Sequence, residues 1–479
     1  MSDKTKPVSR REFLRIAGIA GATIGVGAGL GGLVTACGGE ETTTTTAGAT
    51  TTTAAPATTT TAAPATTTTA GVETGRPVKV GFVDPLTGVL AGFGLAGDYC
   101  VSKWKAATAD GLVLGDGKNH PFEIQVVDSQ SSTDRAAQVT ADLINNAKVD
   151  VVMCAATGDT VNPSADMCEA SGMPCLSIDV PVEVYVFQRG GAPDKPFTWT
   201  YNLFWGLTEQ AAVEVDMFNQ VPTNKKIGAI WPNNAPGNAY RMMYGGEGAG
   251  WPDKSYTYVD SGLYNEPSED FTQQISLFKK EGCEMLQGVM IDPDWTTLTK
   301  QCAQQGFKPI IMEGIKPTLF PTTMEAIGPL ADGQCTVGWF HPTYPFKSSL
   351  TGETAQQMCD DFEKTKNMQW QQTIMHYAVF EWAVDVFKRQ TNLDDKAEFI
   401  TRVKETKMAD SLAGPIDFTV PVQWATSHPT LNCVITPTYG GQWKLTNGGK
   451  YQFELVIVSN VTSPVVKVQD KMKPMSWAG

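Results

Sequence analysis

Residues able to do chemistry are plentiful in this 479-residue chain, but their spacing builds no reaction centre. The four histidines, His120, His341, His376 and His428, stand far apart and keep no ligand spacing with each other or with a cysteine. Paired carboxylates such as Asp292/Asp294 and Asp394/Asp395 occupy loop-like positions. There a solvated turn or a helix cap accounts for them better than acid–base work. No P-loop, HExxH, GxSxG or CxxC run follows residue 37. Residues 92–97, GFGLAG, match the dinucleotide fingerprint formally. That fingerprint belongs directly at a strand end with an acid about 20 residues further on. Here the first glycine comes eight residues after Asp84, and the acid that closes the second strand, Asp128, is too distant. Neither a catalytic nor a metal site is expected, and no cofactor.

The elements around these residues alternate. The run 78–84 is apolar enough for a strand buried on both faces, and Asp84-Pro85 ends it, because proline lacks the ladder donor. A loop spaced by Gly88, Gly92, Gly94 and Gly97 leads to a helix from about Ala96. Strands are predicted at 122–128, 149–155 and 174–178, with helices at 133–147 and 160–171 between them. After 189–196 the alternation restarts, with strands at 226–231, 255–259, 285–290 and 309–312 separated by helices. An extended segment at 335–340, long helices at 353–366 and 370–390, and strands at 431–435, 442–445 and 453–458 complete the chain. Such alternation builds βαβ units on parallel sheets, and open α/β sheets bind ligands at the rim where strands hand over to helices.

Composition narrows the partners. The chain carries 37 Lys+Arg against 50 Asp+Glu, and without its first 37 residues the balance is 32 to 48. Nucleic acid and anionic membrane both reward positive patches, so neither is an expected direct partner of the folded part. Nine cysteines follow Cys37, an odd number. Cys168 with Cys175 and Cys283 with Cys302 are the first candidates for bridges, and buried free thiols account for each pair equally well.

The N-terminus carries an address. Residues 9–15, SRREFLR, match a twin-arginine export motif; 21 uncharged residues with seven glycines follow, and Val34-Thr35-Ala36-Cys37 resembles a lipobox. The expectation is a leader at 1–37, removed so that lipid-bearing Cys37 becomes the new N-terminus. An uncleaved anchor is the alternative. Residues 42–70 hold only Thr, Ala, Pro and Gly, with 17 threonines in 29 positions. Such a segment has no large side chain to bury, so 38–75 reads as a disordered tether.

From Gly81 through Thr87-Gly88 to Phe93-Gly94, and again at Gly414-Pro415-Ile416-Asp417-Phe418, the chain resembles the leucine/isoleucine/valine-binding family. These are type 1 extracytoplasmic substrate-binding components of ABC importers. The resemblance, covering about 78–458, implies an α/β fold of two lobes, each a doubly wound parallel sheet flanked by helices. A hinge of three crossings joins them, near 199–203, 337–341 and 414–418. Lobe 1 would comprise 76–200 and 341–413, and lobe 2 would comprise 201–340 and 414–479. The implied partners are a small-molecule ligand, an ABC permease and the membrane through the lipid anchor, with the protein a monomer and no enzyme. A sensor domain serving a separate receptor and an exported NAD or flavin oxidoreductase are the alternatives.

The same resemblance nominates ligand-binding residues. Phe93 matches the position of a ligand-facing aromatic ring, although a core phenylalanine fits as well. Thr157, Gly158, Asp159 and Thr160 form the loop and helix start that hold a carboxylate in the family. Asp159 departs from the Ser/Thr pattern, so it either repels a carboxylate or simply caps its helix. Asp179 and Val180 follow the fourth strand, and Trp231, Asp292 and Trp295 stand at corresponding strand ends of the second half. Glu313 matches a family acid that pairs with a ligand ammonium, and a surface acid at a strand end fits equally. Tyr201, with Phe204 and Trp205, is placed to wall an aromatic pocket, and hinge packing accounts for them as well. A site so rich in carboxylates, with no evident cation, is expected to favour a neutral or cationic solute. The leader reading has a direct check: Cys37→Ser should release the protein from the membrane fraction, whereas retention of an unprocessed form would make the segment an anchor.

Overall fold

The computed structural model describes residues 72–479 except 193–194, 246–252, 421, 424–428, 431 and 478–479. The leader, Cys37 and all but the last four residues of the tether lie outside the described residues. Thr74 and Gly75 already pair with Asn119, so the folded part begins slightly before the expected Arg76. Among the described residues no helix is long and apolar enough to cross a membrane.

Two sheets organise the chain. The first contains β1 (Val78–Asp84), β2 (Phe122–Asp128), β3 (Val151–Cys154), β4 (Cys175–Ile178), β5 (Thr200–Leu203) and, from far downstream, β11 (Cys433–Val434). Its order is β2-β1-β3-β4-β5-β11, all parallel. The second contains β6 (Lys226–Pro232), β7 (Thr257–Tyr264), β8 (Met285–Gly288), β9 (Ile311–Gly314) and β10 (Cys335–Gly338) in the same order, β7-β6-β8-β9-β10. β12 (Tyr439–Leu445) and β13 (Phe453–Ser459) extend it antiparallel. Helices α1 (Gly97–Ala107), α2 (Thr133–Asp142), α3 (Gly158–Ser171) and the short α4 (Val182–Phe187) follow β1 to β4. Helices α5 (Leu207–Phe218), α6 (Ala235–Tyr240), α7 (Thr272–Glu281), α8 (Asp292–Gln304) and α9 (Pro321–Ile327) accompany the second sheet. Then come α10 (Ala355–Lys366), α11 (Tyr377–Arg389) and α12 (Lys396–Lys404).

Local signals explain the boundaries. Strands β3 and β4 are buried at every position, as expected of a parallel sheet covered on both faces. Ser132 caps α2 by accepting from the Arg135 N–H, and Gly172 ends α3 in the left-handed region at φ 61°. Phe82, Trp104 and Phe380 pack ring to ring between β1, α1 and α11.

The sheet memberships move the passages between sheets. Thr200–Leu203 is itself a strand of the first sheet, so the first passage follows it. The second leaves after Gly338. The third is not at 414–418: Ile416–Asp417 pairs with Lys407–Met408 in a small ribbon. The chain then returns to the first sheet as β11 and leaves only between Val434 and Tyr439. A two-residue strand carries too short an apolar pattern for sequence to assign it to a sheet. The nine cysteines after Cys37 are all buried free thiols, including the pairs considered for bridging; Cys175 lies beside Cys168 and also beside Cys154, its sulfur 3.6 Å from that of Cys154.

Beneath the second sheet lies a buried acid pair. Glu313 of β9 accepts from the Gln287 amide at 2.7 Å, and Glu214 of α5 accepts from the Gln210 amide. Both carboxyl groups are fully inaccessible. Burial, with Glu313 beside it, pushes the Glu214 carboxyl well up. Burial raises that of Glu313 from 4.5 to about 8. Between those pH values the folded state holds a proton that the unfolded chain has released. Stability is therefore full below about pH 4.5 and falls as the pH rises toward 8, by up to about 1.4 kcal/mol per pH unit for one proton. Glu313→Gln should flatten the dependence of Tm on pH between 5.5 and 8 and melt above the wild type at pH 8. An unchanged slope would show that these acids are not desolvated.

Candidate functional site

The strand order of each sheet reverses direction between its first and third strands, and that reversal opens a crevice beyond their carboxyl ends. In the first sheet the loops there run from Pro85 to Phe93 and from Ala155 to Thr157. In the second they run from Asn233 to Pro236 and from Val289 to Ile291. The two crevices share one cavity, to which Phe93, Thr157, Gly158, Asp179 and Val184 contribute from one side, and Pro236, Tyr240, Val289, Lys316 and Leu319 from the other. Phe204, Trp205 and Trp339 complete it from the first two passages between sheets.

Its floor is aromatic. Phe204 lies 4.6 Å from Trp205 and 5.0 Å from Trp339 by ring centroids, so the passages are held together by the rings that wall the cavity. Phe93 meets Phe320 edge-on at 5.0 Å, a contact from one side of the cleft to the other. Trp205 and Trp339 each carry a buried indole N–H with no acceptor among the described residues.

The polar side is built at helix starts and strand ends. Thr157 is the N-cap of α3: its Oγ1 accepts from the Asp159 N–H at 3.3 Å and donates to Asp159 Oδ2 at 3.1 Å. Asp159 Oδ2 in turn faces Lys316 Nζ at 3.6 Å, an ion pair across the cleft between two side chains only 19% and 10% exposed. Ala156 and Asp179 both hold left-handed backbone, at φ 94° and 77°. Each such residue costs about 1–3 kcal/mol and concentrates at functional sites. The turn at Asp179 sends its carboxylate to His376 Nε2, 2.9 Å away. Burial, opposed by His376, leaves the Asp179 carboxyl raised to about 6. Behind it, buried Asp84 is raised to about 7 by desolvation. A Cβ at Gly97 would collide with that carboxylate, so Asp84 already fills the start of α1, where a dinucleotide phosphate would need to sit.

Of the nominated residues, Phe93, Thr157, Gly158 and Asp179 line the cavity, and Asp292 lines a narrower slot beside Lys316 and Phe320. Asp159 stands behind the rim, engaged with Thr157 and Lys316. The others are drawn away. Thr160 turns back onto the Thr157 carbonyl, and the Val180 carbonyl accepts from Asn202 within the first sheet. Tyr201 packs on Phe418. Trp231 backs the wall by stacking on Tyr240 at 6.2 Å, and the Trp295 indole donates to Gln334. Glu313 is buried against Gln287 and does not line the cavity. The expectation of a site without a cation is also overturned, since Lys316 supplies one. Lys316, Tyr240, Trp339 and His376 were not nominated. For Trp339 a signal existed: Phe204-Trp205-Gly206 and Gly338-Trp339-Phe340 both place a tryptophan within two residues of a strand end where the chain changes sheets.

Two α/β lobes that close a cavity between facing switch points define a two-lobed binding protein. The chain belongs to the periplasmic binding protein family, whose model matches residues 77–444. No curated protein sequence matches it significantly. Among solved structures it is similar to the leucine-binding protein LivK of Thermotoga maritima, at 14% identity and a TM-score of 0.62, over 80% of this chain and 99% of that one. The substrate-binding protein LivJ of Streptococcus pneumoniae, in complex with isoleucine, matches at 17% identity and 0.60, over 80% and 99%. A solute-binding protein of Rhodopseudomonas palustris in complex with 3,4-dihydroxybenzoic acid matches at 16% and 0.59, over 81% and 99%.

The cross-cleft ion pair should help hold the lobes together. Asp159→Asn is expected to raise the radius of gyration of the ligand-free protein in solution scattering, while the charge-exchanged double variant Asp159→Lys/Lys316→Asp returns it toward the wild-type value. Equal radii for all three would show that the pair contributes nothing to closure.

Proposed function

We propose that this chain is the solute-binding component of an ABC importer, held outside the cytoplasm by a lipid on Cys37 after twin-arginine export. It captures one small solute between its lobes and presents the closed form to a permease. The observation that carries this reading is the cavity itself, walled jointly by the carboxyl ends of both sheets and by the residues at their passages. A ligand bound there touches both lobes at once, so its binding energy is available only to the closed form and shifts the population toward it. Relatives of the same fold are recorded with isoleucine and 3,4-dihydroxybenzoic acid, which fits a small organic solute.

The lipid anchor and the export route rest on the leader motifs and on family membership. Phe93, Thr157, Gly158, Asp179 and Lys316 are the residues proposed to touch the solute. In native mass spectrometry the gently purified protein is expected to carry one bound small molecule, and its removal and return should expand and contract the protein in solution scattering. A protein that takes up nothing from a metabolite extract, and whose dimensions never change, would overturn the proposal.

A further inference from the structure

We infer that the solute is a small aryl carboxylate without an ammonium group, its ring held by the aromatic floor and its carboxylate by Lys316, the start of α3 and the two tryptophan N–H groups. The inference rests on the solute-binding reading and names the class of ligand for that same cavity.

The walls decide the body of the ligand. Phe93, Phe204, Trp205 and Trp339 present ring faces and edges, and the remaining lining is mostly aliphatic. A planar apolar group gains both burial and ring-to-ring contact there. The balance of donors and acceptors decides the head. Among the lining residues, the buried polar side-chain atoms left without a partner are the indole N–H groups of Trp205 and Trp339, both donors. Lys316 Nζ adds three N–H bonds and a positive charge, and the 14-residue α3 turns its N-terminus to the cavity at Thr157 and Gly158. Desolvated donors need acceptors, and a carboxylate offers four lone-pair sites.

The anions decide what the ligand lacks. An α-amino acid brings an ammonium group that needs its own carboxylate in a dry site. Asp179 is the carboxylate of the cavity lining, and its Oδ2 is already bound to His376. Glu313 is buried and bound by Gln287, and Asp84 is buried behind Asp179. Asp159 is held by Thr157 and Lys316. It therefore competes with an incoming carboxylate for Lys316, and removing its charge should strengthen the acid rather than weaken it.

The test is calorimetric titration of the mature protein, stripped of ligand, with matched probes: benzoate, 4-hydroxybenzoate and phenylacetate against benzamide, benzylamine, L-phenylalanine and L-leucine. At least one acid should bind ten-fold or more tightly than benzamide, benzylamine and both amino acids. Lys316→Met should cost that acid at least ten-fold, Lys316→Arg should restore most of the loss, and Asp159→Asn should tighten it several-fold. If Lys316→Met does not fold, the wild-type comparison of acid with amide and the Asp159→Asn variant still decide. Tighter binding of benzamide, benzylamine or either amino acid overturns the inference and leaves the solute-binding reading standing. The inference is overturned in the same way if no probe binds while a metabolite extract still contracts the protein. Absence of any uptake, from probes or extract, overturns the reading beneath it.

Discussion

Parallel strands buried on both faces impose the constraint on which the rest of this molecule depends. Each strand must return through a helix, so every strand of the core ends on the same side of its sheet, and the order β2-β1-β3 splits the returning chains to either face. The split leaves backbone and helix starts facing a gap that no core side chain fills. Two sheets with the same order, set with these gaps toward each other, turn two shallow crevices into one shared cavity. Its polar groups are therefore strand ends and helix starts: Thr157, Gly158, Asp179 and Lys316.

The passages between sheets add a second property. Phe204, Trp205 and Trp339 stand on the connecting segments and also wall the cavity, so the joint and the candidate ligand floor are one cluster of rings. A ligand packed against them bears directly on the segments that must bend for the lobes to part. Phe93 on Phe320 and Asp159 with Lys316 close the outer edge, one apolar contact and one ionic, each with a partner from either side. The strained turns at Ala156 and Asp179 sit at adjacent strand ends of the first sheet, where the cost of left-handed backbone is borne by the packed sheet below.

An acidic chain that buries several carboxyl groups must keep them protonated, paired or capped. All three solutions occur. Glu313 and Glu214 lie together beneath the second sheet with raised pKa values, Asp179 is paired with His376, and the Glu381 carboxylate accepts backbone N–H groups from Ser349 and Leu412. Only Asp179 among these reaches the cavity. The acidic composition thus describes the core and the surface and says little about the charge a ligand meets.

Much of the architecture was legible in the sequence, because it is written in local patterns. Apolar runs of four to seven residues, ended by Asp84-Pro85 or opened into a helix by Thr157, depend on neighbours along the chain. The low-complexity run at 42–70 is likewise set apart by its composition alone. What tertiary structure decided is which of these ends meet and which way their side chains turn. His376 reaches Asp179 across 197 positions, and Lys316 reaches Asp159 from another sheet. Neither pairing leaves a trace in local spacing. Glu313 was legible as an acid at a strand end, but its partner depended on the register of β9 against β8, which sets it opposite Gln287 in the buried core. Strand and helix come from short-range sterics and burial pattern, whereas the site is made by sheet order, which brings strand ends together regardless of their distance along the chain.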